Sequence, residues 1–160
     1  MAIQISVREA GAEDVEGVAA AVEALLVELG GRRPERPHLE AEVRALLADP
    51  AGGSVLVAEA DGEIVGVLGA SWQRAIHVPG VYATIQDLWV KEGWRSRGVG
   101  AELVEAIASQ ARDRGVSRLE VGLPRESFAA IASTESFYRR SGFEPLGPRM
   151  RRLLDEEASR

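Results

Sequence analysis

The stretch Asp87-Leu-Trp-Val-Lys-Glu-Gly-Trp-Arg-Ser-Arg-Gly-Val-Gly-Ala-Glu-Leu-Val104 runs from the end of a strand through a loop into a helix. Gly98 and Gly100 fall at the turn into that helix. A residue without a Cβ lets the backbone approach a ligand closely and adopt conformations other residues avoid. The first N–H groups of a helix have no partner inside it, and the helix dipole adds partial positive charge there. An anionic phosphate can therefore be held by main chain at this point. Arg95 and Arg97 can add charge-assisted hydrogen bonds. Two familiar phosphate loops do not fit. No Lys-Ser or Lys-Thr follows a glycine, which removes the P-loop pattern. Gly98-Val99-Gly100 continues with Ala101, Glu102 and Leu103, so the dinucleotide fingerprint fails as well. The plain alternative is an ordinary glycine-rich strand-to-helix turn.

Outward from this segment the elements follow from hydrophobic period. Ile3, Ile5 and Val7 alternate with polar neighbours as a first strand. Residues 12 to 29 carry Val15, Val18, Ala19, Val22, Leu25, Leu26 and Leu29 at helical spacing, closed by Gly30-Gly31. Arg32 to Pro37 reads as loop, and His38 to Ala48 as a second helix. Ser54 to Ala60 and Glu63 to Trp72 flank Asp61-Gly62, a two-residue hairpin signal. A turn is expected at Pro79-Gly80, then a strand over Tyr82 to Val90. Val99 to Arg114 is predicted helical, Leu119 to Leu123 a short strand, and Phe128 to Ser141 a last helix. Phe143 to Leu154 is expected to add a final strand or hairpin. The order β-α-α-β-β-β-α-β-α-β predicts an α/β fold: one domain over residues 1 to 160, with a mixed, mostly antiparallel sheet flanked by helices.

Composition sets the outer limits. A chain of 160 residues with 46% apolar and 28% charged residues suits one globular domain. The absence of cysteine excludes a disulfide, a thiolate zinc site and a cysteine nucleophile. With only two histidines, far apart, no metal site is expected. The N-terminus lacks a basic start and apolar core, and no apolar run reaches the roughly 20 residues of a membrane span, so a cytoplasmic protein is expected. A net charge of −6 argues against nucleic-acid binding and is compatible with a cationic acceptor.

Arg95-Ser96-Arg97-Gly98-Val99-Gly100 resembles the R/Q-x-x-G-x-G/A signature of the GNAT acetyltransferases, in that family's position after a strand and at the opening of a long helix. Phe137-Tyr138-Arg-Arg-Ser-Gly142-Phe143 is similar to the family's second landmark, at the usual distance downstream. Val7-Arg8-Glu9-Ala10 followed by Glu13-Asp14-Val15 also looks similar to the family's start.

The resemblance implies acetyl-CoA as co-substrate. Its pyrophosphate would lie on the amides of Arg95, Ser96, Arg97, Gly98, Val99, Gly100 and Ala101, and its pantetheine along Leu88, Trp89 and Val90, in the manner of an added strand. An N–H near Leu88 would polarise the thioester carbonyl. The amine acceptor must lose a proton, because a free alkylamine is almost wholly protonated at neutral pH. Ile85-Gln-Asp-Leu-Trp-Val90 is similar to the I/L-E-D-L/F-x-V of small-amine members. Gln86 replaces a glutamate there and cannot take a proton, which leaves Asp87, or a water chain from it, as base. Tyr138 is the expected donor to the departing thiolate, with Phe137 in the core. Where the family often has Asn, this chain has Ile131, so that pantetheine contact is missing or supplied by Ser133 or Thr134. Glu92 stands where Pro is common.

Acceptor specificity would come from residues 29 to 39 and 72 to 82, with Trp72, Tyr82 and Gln86 as substrate-binding candidates and Arg74 and His77 beside them. A small-molecule primary amine is preferred over a peptide or protein acceptor. A non-catalytic acyl-CoA-binding module is the rival from another class, and a homodimer is expected from family habit alone.

Overall fold

The computed structural model describes residues 3–154. Five strands form one sheet in the order β1-β2-β3-β4-β5, with β1 Ser6–Glu9, β2 Gly53–Ala60, β3 Glu63–Ala75, β4 Val78–Val90 and β5 Leu119–Val121. The first four are antiparallel neighbours, and β5 runs parallel to β4. Helices α1 (Val15–Leu29) and α2 (Arg36–Ala48) cover one face; α3 (Val99–Asp113) covers the other. Helix α4 (Ile131–Arg140) completes the chain order. The mixed, mostly antiparallel sheet flanked by helices is thus present.

Each face has its own apolar set, as period-2 strands demand. Val55, Val57 and Val67 meet Val15, Val18 and Val43 on the α1/α2 side. Leu56, Leu68, Ala70 and Ile85 meet Val99, Leu103 and Ile107 on the α3 side. Truncating a fully buried leucine of the α3 side, Leu68 or Leu103, to alanine costs about 2–5 kcal/mol.

The structure corrects several boundaries. Helix α2 starts at Arg36 and takes in Pro37, because a proline in the first helical turn lacks only an N–H that would have had no partner. The reverse turn between β3 and β4 lies at Ile76-His77 rather than Pro79-Gly80. Val78 pairs with Ala75 and Val81 with Arg74, so Pro79 and Gly80 bulge out of the ladder, where a missing N–H costs no strand bond. The predicted helix over 128–141 begins three residues later, at Ile131. Residues 143–154 form no regular strand. Pro145, Gly147 and Pro148 interrupt the run, and proline withholds a ladder donor. Among the described residues no helix is long and apolar enough to cross a membrane.

Candidate functional site

One irregularity in β4 organises the site. Gly69 faces Asp87 and Ala70 faces Ile85, so Gln86 is an extra residue on β4, a β-bulge. A bulge puts two consecutive residues where one would stand, and alternation shifts by one beyond it. The side chains show this. Ile85 and Leu88 belong to the α3-side core, whereas Asp87 lies against Gly69 and Gln86 donates through Nε2 to Ser71 Oγ at 2.9 Å. Gln86 and Asp87 therefore share the α1/α2 face.

The main chain shifts as well. Before the bulge the Ala83 N–H points to β5, donating to Arg118 O at 3.0 Å. Beyond it the Lys91 N–H points the other way, to Val65 O on β3 at 2.9 Å. In an antiparallel strand the N–H and C=O of one residue share a side, and alternate residues share that side. Asp87 and Trp89 thus turn toward β3 with Lys91, and Leu88 and Val90 turn away from it. The side they turn to has no strand, because β5 pairs with Ala83, Thr84 and Ile85 and ends at Val121. The backbone of Leu88 and the N–H of Val90 are presented along an open edge.

That edge leads into the loop at the start of α3. Gly98, the N-cap, has φ 86°, a left-handed conformation that a side chain would strain. The N–H groups of residues 95 to 101 donate to no backbone or side-chain acceptor among the described residues. Such a row of free donors at a helix N-terminus is an anion cradle. The loop is exposed except at Val99 and Gly100. A Cβ on Gly100 would stand 3.1 Å from Phe137 Cζ and 3.7 Å from Val90 Cγ2, so the aromatic of α4 closes directly over the helix start.

The two loop arginines have different surroundings. Arg97 stacks on Trp94, 5.1 Å from the ring centroid. Arg95 donates through Nε to Val90 O at 3.1 Å and pairs with Glu28 of α1. Its side chain braces the loop to the strand end and to α1, which leaves Arg97 as the side-chain charge best placed for a phosphate.

Tyr138 is buried, edge-on between Phe137 and Phe143 at centroid distances of 5.1 and 5.4 Å. Burial pushes its phenol up to about 12, so the hydroxyl keeps its proton through the physiological range. Asp87 is half-buried and makes no hydrogen bond or ion pair with a described residue. Burial raises its carboxyl above the ordinary carboxylate value.

The other candidates divide. Tyr82 lies opposite Gln73 on the Asp87 face, while Trp72 packs on the opposite face against the cluster of Ala83, Ala111 and Val116. Arg114 sits 4.6 Å over the Trp72 ring, and the indole Nε1 is buried without a partner. Trp72 is therefore not brought together with Gln86 and Tyr82. Arg74 and His77 are exposed at the hairpin end. Trp89 turns its main chain to β3, so only its side chain, beside Ile64, lies on the α1/α2 face. Ile131 is the first residue of α4, and Ser133 Oγ is committed to Ala130 O at 2.9 Å. The bulge itself was not foreseen; the polar pair Gln86-Asp87 inside an apolar run was its only trace.

The Acetyltransferase (GNAT) family model matches residues 20–143, and the chain belongs to that family. "Probable N-acetyltransferase 14" from Danio rerio is 32% identical over 95 residues, 59% of this chain and 31% of that protein. The chain thus spans about a third of that relative's length. An aminoglycoside N-acetyltransferase solved with CoA superposes at TM-score 0.79 and 16% identity, covering 98% of this chain and 97% of the other. A glucosamine-6-phosphate N-acetyltransferase from Arabidopsis thaliana does so at TM-score 0.74 and 14% identity, covering 95% and 99%. These two likenesses establish the shared fold.

Proposed function

We propose that this chain transfers the acetyl group of acetyl-CoA directly to a primary amine of a small molecule. The observation that carries the reading is the bulge at Gln86, which sets a free carboxylate on one sheet face and a free strand edge beside it. The residues present fit the co-substrate: an open edge long enough for an extended chain ends at a cradle of unpaired N–H groups. When bound, acetyl-CoA supplies a thioester carbonyl as the electrophile.

The roles of the residues follow from their surroundings. The N–H of Leu88 or Val90 donates to the carbonyl oxygen and steadies the charge that grows there. Asp87, unneutralised on the acceptor face, attracts an ammonium and takes its proton directly or through water. Tyr138 has the complementary duty. A phenol near 12 is a weaker acid than a thiol of about 8.5, so its part is to donate a hydrogen bond to the departing sulfur, with complete proton transfer left to solvent.

Calorimetric titration with acetyl-CoA, with ATP and NAD as controls, tests the first half. Selective micromolar binding is expected; no binding of any acyl-CoA ends the proposal. Replacing Tyr138 by Phe tests the second half. It should lower kcat about 10–100-fold, the range of one lost hydrogen bond to charge, and leave the acetyl-CoA Kd within about twofold. Unchanged turnover removes the role.

A further inference from the structure

The face that carries Asp87 continues along β3 and β4 as a row of polar side chains that acetyl transfer itself does not require. Thr84 lies opposite Ser71, and Tyr82 opposite Gln73. Two cross-strand hydrogen bonds organise them. Gln86 Nε2 donates to Ser71 Oγ at 2.9 Å, and Thr84 Oγ1 donates to Gln73 Oε1 at 2.8 Å. Each bond ties one end of a glutamine amide and leaves the other end unpaired among the described residues. Gln86 is left with a free acceptor, Oε1, and Gln73 with a free donor, Nε2. Tyr82 stands opposite Gln73.

The spacing of these groups is regular. Gly69, Ser71 and Gln73 are alternate residues of β3, so at about 3.3 Å per residue they mark levels about 7 Å apart. Along the face come a carboxylate over Gly69 and then, around the Ser71–Thr84 pair, the free acceptor of Gln86 and the free donor of Gln73, with Tyr82 beyond. An apolar acceptor lying there would cover the two free amide ends without pairing them, and a site with such groups rejects ligands that lack the matching atoms.

We propose that this row reads the acceptor, and that the acceptor is an elongated primary amine bearing oxygen. Its ammonium meets Asp87, a hydroxyl or N–H about 7 Å along donates to Gln86 Oε1, and an oxygen next to that accepts from Gln73 Nε2. Ser71 and Thr84 are positioning residues that anchor the two amides on this face. The inference rests on the acetyl-transfer reading, which supplies the reacting end of the site. A purely structural role, two cross-strand pairs on a half-wet sheet, is the alternative.

Three probes separate the two: pentylamine and 4-aminobutanol, matched in length, and N-acetylputrescine, which extends further by an acyl group, each assayed by thiol release at saturating acetyl-CoA. The native protein should favour aminobutanol over pentylamine, and N-acetylputrescine over aminobutanol, by about tenfold in kcat/KM at each step, carried by KM. Gln73→Leu should erase the second preference and keep the first. Ser71→Ala, which releases Gln86, should shrink the first and keep the second, and Thr84→Ser should restore native behaviour where Thr84→Val does not. Calorimetric acetyl-CoA affinity should be the same in all variants. Equal kcat/KM for the three amines, turnover of none of them by a protein that binds acetyl-CoA, or preferences untouched by Gln73→Leu overturns the inference and leaves acetyl transfer standing. Failure of acetyl-CoA to bind the native protein removes the transfer reading itself.

Discussion

Asp14 and Asp87 are both carboxylates at the margins of the same α1/α2 layer, and their surroundings are opposite. Asp14, at the entrance to α1, has a side chain only 6% exposed and every need met. It accepts from Arg8 Nη1 at 2.7 Å, Arg8 Nη2 at 3.0 Å and the Gly11 N–H at 2.7 Å. The Arg8 hydrogen bonds hold its carboxyl below the usual range against the opposing effect of burial. Arg8 also reaches Glu59 through Nε at 3.2 Å, so the cluster ties β1, β2 and α1 together. Asp87 is shielded from water without being given a partner, and its carboxyl rises. A charge whose partners are all supplied by the chain belongs to the fold. One that is desolvated and left alone is held ready for something from outside.

The largest effect expected from this contrast is on stability. Asp14→Ala removes the two Arg8 hydrogen bonds and the Gly11 contact, leaving the half-exposed Arg8 with Glu59 alone, and should cost about 3 kcal/mol, the upper range for hydrogen bonds to a charged group. At about 2–4 °C per kcal/mol, the melting temperature falls by roughly 6–12 °C. Below the transition, acetyl-CoA affinity should be native. A melting temperature within about 2 °C of the parent would show that the paired carboxylate does not stabilise the fold and would break the comparison.

Asp87→Asn should do the reverse. On the proposed base role, its loss should lower kcat/KM for an amine about 100-fold, as removal of a general base does, without lowering the melting temperature. Comparable turnover with a marked loss of stability would place Asp87 with Asp14 as a structural group.

How much of this was legible beforehand depended on the length over which a pattern is written. The hairpin at Asp61-Gly62, the amphipathic period of α3 and the glycines at its start are local and repeated, and all appear where expected. The bulge at Gln86 is one residue long and depends on the register of β3 opposite, which no window over β4 contains. The same is true of Trp72: its type suits a pocket, and only the pairing of β3 with β4 puts its ring on the α3 face. The expected strand after Phe143 failed because Pro145, Gly147 and Pro148 break the run, and Leu146, Met150 and Leu154 are left exposed. Tyr138 was found by its motif, but the aromatic pair that desolvates it is a tertiary fact.

A smaller effect sharpens the position of Asp87. A Cβ on Gly69 would stand 3.2 Å from Asp87 Oδ2 and 3.7 Å from its Cβ. Gly69 has no positive φ, so alanine adds bulk without backbone strain, and the carboxylate must give by a few tenths of an ångström. Gly69→Ala should lower amine kcat/KM about fivefold, because a displaced group loses part of its alignment. Acetyl-CoA affinity, which depends on the opposite edge of β4, should not move. An unchanged kcat/KM would mean that the position of the carboxylate over β3 does not matter to the reaction.

The smallest effect is the most diagnostic, because its sign differs between the two carboxylates. Asp87 has a folded pKa above its unfolded one, so the folded state holds more protons than the unfolded state between those values, and this group's contribution falls as pH rises through that window. Asp87→Asn should therefore melt with the parent at acid pH and exceed it by about 1–3 °C at neutral pH. Asp14 has a folded pKa below its unfolded one. Its contribution is present above the unfolded value and is lost as pH falls through the folded value. The deficit of Asp14→Ala should accordingly be full at neutral pH and shrink in acid. Thermal melts of the parent and both variants from pH 3 to pH 8 would give two difference curves of opposite sign that both narrow toward acid. Curves of the same sign would mean that Asp87 has a partner when folded, and the argument for its role as a waiting base would lose its physical ground.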